Sequence, residues 1–122
     1  MEGLFLVKDL SNLRIYRLAV DIGEAIWAVV QLWDAFERWT LGKQLVDSAD
    51  GISVNMIEGY YRILPGDKRK FFRYALSSAK ETELWWWKAR KRNIITHGKF
   101  MEIKAMLAEM LPQLVNFIKK IE

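Results

Sequence analysis

Few side chains in this sequence could do covalent chemistry, and their spacing argues against it. There is one histidine, His97, and no cysteine. A lone histidine near the start of a helix reads as a helix-end residue, not a ligand or base. Glu58 and Glu81 could in principle form a paired-carboxylate site, but no nucleophile or metal set accompanies them. The Glu-x-x-His pair of a di-iron bundle is missing, as is a Cys/His set for zinc. Gly66-Asp67-Lys68 lacks the first glycine and the spacing of a phosphate-binding loop. The expectation is a non-enzyme without metal or cofactor.

The remaining chemistry is that of contact. The net charge is only +4, but residues 68–92 hold nine Lys or Arg against Glu81 and Glu83, a local +7. Charge gathered on one element says more than the total. Lys68, Arg69, Lys70, Arg73, Lys88, Arg90, Lys91 and Arg92 are the candidates for phosphate contacts. No base-reading motif accompanies them, so recognition would run through shape and backbone. The alternative is a solvated helix face whose last cations complement the helix dipole.

These cations need a helix to carry them. Leu41, Leu45, Ser48, Ile52, Asn55, Gly59 and Arg62 step by four and three, which is one face of a helix. Its middle is small and polar, and Gly51 and Gly59 each cost about 1 kcal/mol of helix propensity. Such a helix uses the space its glycines leave. Phe71, Ala75, Ser78, Thr82, Trp85 and Ala89 make a matching seam on the next helix, after a short loop containing Pro65-Gly66. A short loop makes the two helices antiparallel neighbours. Asn55 and Ser78, with Glu58 and Glu81, are expected to form a buried polar cluster between them; the competing reading leaves both acids in solvent.

Two further helices complete the set. One runs from Ser11 or Asn12 to about Trp33, with an inner stripe of Ile15, Ala19, Ile22, Ile26 and Trp33. Thr40 is a fair cap for the second helix, and Asp67 for the third, which Asn93 would end. The last runs from about Thr96 to Ile121, with Pro112 expected to bend it. The fold class is therefore all-α, an antiparallel up-down-up-down four-helix bundle, with residues 1–122 as a single domain. Residues 1–10 read as an extended lead-in packed through Leu4, Phe5 and Leu6, without the pattern of a signal peptide. The longest apolar run is too short to span a bilayer, so no membrane partner is expected and the default address is cytoplasmic.

Trp85, Trp86 and Trp87 are consecutive, each turned about 100° from the last on a helix. One bundle-facing stripe cannot take all three. With Trp85 on the seam, Phe72, Leu76, Trp86 and Trp87 read as an apolar flank and a candidate homo-oligomer interface. The alternatives are a monomer whose edge these rings cover, or stacking on nucleobases.

Gly51-Ile52-x-x-Asn55-Met56-Ile57-Glu58-Gly59-x-x-Arg62 resembles the S-I-x-x-N-I-A-E-G-x-x-R motif of the bacterial four-helix-bundle proteins named for 23S ribosomal RNA intervening sequences. Ser77-Ser78-x-x-Glu81 with Trp85 is similar to that family's G-S-x-x-E stretch and following aromatic. Leu13-x-Ile15-Tyr16-x-x-Ala19 is similar to its opening motif. Gly51, Ile57 and Ser77 depart from the usual Ser, Ala and Gly. The resemblance covers nearly the whole chain and implies a ring-shaped homopentamer from a bacterium. A more distant likeness is to the accessory proteins of diversity-generating retroelements, basic pentameric bundles that partner a reverse transcriptase and RNA. Two functions follow as expectations: a basic homo-oligomer that binds nucleic acid, RNA above all, or a scaffold for a protein partner such as a reverse transcriptase.

Overall fold

The computed structural model describes residues 10–121. The expected lead-in through Leu4, Phe5 and Leu6 lies outside them. After a 3₁₀ turn at Leu10–Asn12 come α1 (Arg14–Val30), the short α2 (Ala35–Glu37), α3 (Lys43–Tyr60), α4 (Pro65–Lys91) and α5 (His97–Lys119). No strand occurs among the described residues, and no helix there is long and apolar enough to cross a membrane. The long helices α1, α3, α4 and α5 form a four-helix bundle.

Contacts set the directions of the helices. Gly23 and Gly42 face Asp50 and Val30 between α1 and α3. Ser48 bonds Thr82 and Gly59 faces Phe72 between α3 and α4. Trp86 bonds the Phe100 carbonyl, and the Phe72 and Phe117 rings pack at 4.8 Å, between α4 and α5. Arg14 pairs with Glu109 between α1 and α5, while Val29 and Ile103 line a common cleft. In each pair an early residue of one helix meets a late one of the other, so all four neighbour contacts are antiparallel.

Local chemistry explains the ends, and two differ from expectation. The second helical segment starts at Asp34, whose carboxylate accepts from the Glu37 amide at 2.9 Å. That hydrogen bond holds the Asp34 carboxyl below its ordinary range. Thr40 is not a cap: it lies in a π-helical stretch, Arg38–Gly42, and donates to the Phe36 carbonyl at 2.7 Å. Pro65, not Asp67, opens α4, at the position where a missing N–H is harmless. Asn93 ends α4 as expected, with φ 60°. The Ile94 amide reaches the Ala89 carbonyl at 2.9 Å and the Asn93 amide reaches Arg90 at 3.0 Å, a Schellman ending. Thr96 caps α5 through the Lys99 amide at 3.1 Å, and α5 continues through Pro112.

The core confirms most stripes and corrects one. Ile15, Ala19, Ile22, Ile26, Leu45, Ile52, Ile103, Leu107, Met110 and Leu114 are buried. On α4 the buried line is Phe72, Ala75, Ala79, Thr82, Trp86 and Ala89. Phe71, Ser78 and Trp85, read from sequence as seam positions, are only half-buried. The reason is that α4 packs on two neighbours at once. Its deepest line lies between α3 and α5, while the residues facing α3 alone sit at the edge of that contact.

Candidate nucleic-acid interface

The candidate site is α4, and its position depends on how closely α3 approaches. A Cβ on Gly59 would lie 2.7 Å from a Phe72 ring carbon, and one on Gly51 would lie 3.0 Å from Ser78 Oγ. The glycines do occupy the seam. The expected polar cluster does not form, however. Glu58 is exposed and pairs with Arg62 at 2.9 Å, one turn along the same helix. Glu81 is exposed too. Asn55 is half-buried and donates to its own helix, at the Gly51 carbonyl, 2.9 Å away. Ser78 packs its Oγ on Gly51.

The buried polar pair is instead Ser48 and Thr82. Thr82 Oγ1 donates to Ser48 Oγ at 2.9 Å and lies 2.8 Å from the Ser78 carbonyl, while Ser48 donates to the Leu45 carbonyl at 3.2 Å. Both residues stand on the seams read from sequence. Their hydroxyls, able to donate and accept, were the signal for the pair. A carboxylate at that depth would lose its hydration with no cation to replace it.

The interface set also changes. Trp86 is 1% exposed, with its Nε1 donating to the Phe100 carbonyl at 2.9 Å, and Phe72 is equally buried against Phe117. Neither can make an outward contact. Leu76 remains half-buried at the flank, and Trp87 is 51% exposed.

The eight cations divide in two. Lys68, Arg69 and Arg90 are half-buried and hold backbone carbonyls: Tyr60 at 2.8 Å, Ile121 at 3.0 Å and Ile95 at 3.1 Å. Those on Tyr60 and Ile121 brace helix ends, where carbonyls lack partners. Lys70, Arg73, Lys88, Lys91 and Arg92 enter none of the ion pairs among the described residues, unlike Lys43, Arg62, Lys80 and Lys99. Lys70 lies near the Phe71 and Tyr74 rings, and Lys88 over the Trp85 ring at 5.4 Å. At about 100° per residue, Arg73, Lys80 and Lys91 share one outward line, with Lys70 and Lys88 about 60° toward α3 and Trp87 about 40° toward α5. From Arg73 to Lys91 the line is about 27 Å long at 1.5 Å per residue. The outer surface of α4 thus has a cationic flank and an apolar one.

No group of ligating side chains that could hold a metal ion occurs among the described residues. The arrangement can neutralise anionic charge along a rigid line; it offers no aligned nucleophile and base.

An all-α bundle whose helix α4 carries a line of cations outside its ion pairs is the class that this fold and site define. Residues 11–116 match the family model for the 23S rRNA-intervening sequence protein, so the chain belongs to that family. A crystal structure of a protein of unknown function from the S23 ribosomal protein family of Bacteroides thetaiotaomicron superposes with a TM-score of 0.81 at 21% identity. The match covers 87% of this chain and 99% of that one, and it shows a common fold. No curated protein matches the chain.

Proposed function

We propose that the protein is a non-catalytic, self-associating bundle of the cytoplasm that binds nucleic acid, RNA in the first place, through phosphate contacts of α4. The observation that carries this reading is the set Lys70, Arg73, Lys88, Lys91 and Arg92, cations outside every ion pair among the described residues and ranged along one rigid helix. The family description, which names a ribosomal RNA, agrees with this choice of polymer. Repetition of the helix in a homo-oligomer, a pentamer by the resemblance, would sum the potential of the copies.

Salt-titrated binding tests it. Five contacts on a single strand give a slope of log K against log salt of about −3.5 per subunit. Replacing Lys70, Arg73 and Lys88 by alanine should flatten that slope by about 2 and weaken binding to all sequences alike. Absence of binding at low salt would refute the reading. A second reading, a scaffold for a protein such as a reverse transcriptase, is favoured by the apolar cleft beside Trp27 and Trp39; its complex would persist where nucleic-acid binding is absent.

A further inference from the structure

A cleft of about 300 Å³ opens between the last turns of α1 and the π-helical entry to α3. Trp27, Val30, Trp39, Gly42 and Val46 line it, and the two indoles are 54% and 71% exposed. Gly42 is packed so tightly on Val30 that a Cβ there would lie 2.7 Å from Val30 Cγ1, so the floor is fixed. Its two cations are engaged: Lys43 is held by Asp47 at 2.8 Å, and Arg38 donates to the Gln31 carbonyl at 3.4 Å. Acids dominate the wider surface, because residues 21–58 hold seven Asp or Glu against two Lys or Arg. Beside the cleft, burial and the neighbouring Glu24 and Asp47 raise the pKa of Asp50, which indicates how closely these carboxylates crowd.

The complement of this surface stands elsewhere on the same molecule. On α4 the half-exposed indole of Trp87 has the unpaired Lys91 one turn ahead of it and lies on the α5 side of the outward line, whereas Lys80 is held by Glu83 at 3.4 Å. The cleft lies on the α1–α3 side, so the two surfaces do not meet within one subunit. They do lie at the same end of the bundle, since Ser48 of α3 meets Thr82 of α4 and the chain runs from there toward Lys43 and Trp87. A cleft of this size is at the lower limit for drug-sized ligands and suits one ring system.

We infer that the cleft between α1 and α3 receives Trp87 of a second copy of this chain, with Lys91 facing Glu24 and Asp50. This names the surfaces of the self-association proposed above and rests on that part of the reading. The contact is heterologous, one patch meeting a different one, so it propagates to a closed ring or an open filament. It draws Lys91 of the phosphate set into the junction and leaves the α3-facing cations Lys70, Lys88 and Arg92 clear of it. Hence assembly and polyanion binding are separable.

The test is light scattering coupled to size exclusion over a range of protein concentrations, with circular dichroism to confirm folding. Trp87→Ala and Trp39→Ala alter exposed side chains and should stay helical. Each should raise the dissociation constant of the assembly by about 30-fold, the effect of losing one interface hot spot. Mixed together, the two variants should pair one to one, because Trp39→Ala keeps its Trp87 and Trp87→Ala keeps its cleft. A wild-type monomer at all concentrations would overturn the inference. So would assembly indifferent to both variants, or a mixture that stays monomeric. Folded monomers of Trp87→Ala that still bind RNA support the inference and leave the phosphate reading standing. Normal assembly that weakens as predicted in both variants, without RNA binding, supports the inference and refutes the phosphate reading.

Discussion

The closeness of α3 to α4 can be tested at two glycines that the structure treats differently. A Cβ on Gly59 would stand 2.7 and 2.9 Å from two Phe72 ring carbons and 3.1 Å from the Lys68 carbonyl oxygen. Neither neighbour can yield easily: Phe72 is 1% exposed, its ring packed on Phe117 at 4.8 Å, and the carbonyl belongs to α4 itself. Overpacking of this kind costs about 1–3 kcal/mol. The gain in helix propensity returns about 1 kcal/mol, so Gly59→Ala should lose about 1 kcal/mol net. At Gly51 the obstacle is Ser78 Oγ at 3.0 Å, the end of a side chain that can rotate. There the propensity gain should survive, leaving Gly51→Ala neutral or up to about 1 kcal/mol more stable. Thermal unfolding at one fixed protein concentration measures both, a difference of about 1 kcal/mol moving the midpoint by roughly 4 °C in a chain of this size. Relief of the Gly59→Ala defect by Phe72→Leu would place the clash on the ring. A Gly59→Ala protein as stable as wild type, or a reversed order of the two variants, would refute the close-packed hairpin.

Three other outcomes follow from particular contacts. Trp86→Ala removes a buried indole and its bond to Phe100, and should cost about 3–5 kcal/mol in chemical denaturation. Thr82→Val should cost about 1 kcal/mol, and the double variant with Ser48→Ala less than the sum of the singles, since the two hydroxyls share one bond. Burial, then Glu24 and Asp47, raise the Asp50 pKa in the folded protein. The folded state therefore holds that proton more tightly than the unfolded chain does. Stability contributed by Asp50 should fall as pH rises through the interval between its ordinary and raised values. Asp50→Asn should remove that fall, as read from denaturation midpoints between acid and neutral pH.

The bundle was legible because periodicity and caps report on one helix at a time. The inner stripe of α1, the left-handed Asn93 and the start of α5 at Thr96 all depend on local chemistry, and all appear where sequence places them. Two helix starts were misplaced because a competing signal won. Asp34 is the better cap than Thr40, and the π-helical stretch that holds Thr40 has no periodic signature. The polar cluster failed for a different reason. Asn55 and Ser78 were matched by seam position, but which pair meets depends on the stagger of α3 against α4, and the Ser48–Thr82 bond shows that stagger. Three of the eight cations were likewise indistinguishable in sequence from the rest, since their carbonyl partners come from Tyr60, Ile95 and Ile121.

The tryptophan run links fold to proposed function. Three successive residues sweep about 200° of a helix, while the stripe that faces a bundle is little more than 100° wide. At most two of the rings can be partly inside wherever the stripe is centred. Centred between α3 and α5, it takes Trp86 fully and Trp85 in part, so Trp87 is outside by geometry. Geometry requires that the position be outside, not that it hold an indole. Lysine or glutamate would serve a solvated face at no cost to the core, as Lys80 and Glu81 do one to two turns earlier. An indole kept there, with Lys88 and Lys91 within one turn, gives α4 a large apolar anchor beside its positive charge. That combination suits contact with another macromolecule better than solvation. It also divides the labour of the helix, Trp86 stabilising the subunit and Trp87 serving what lies beyond it.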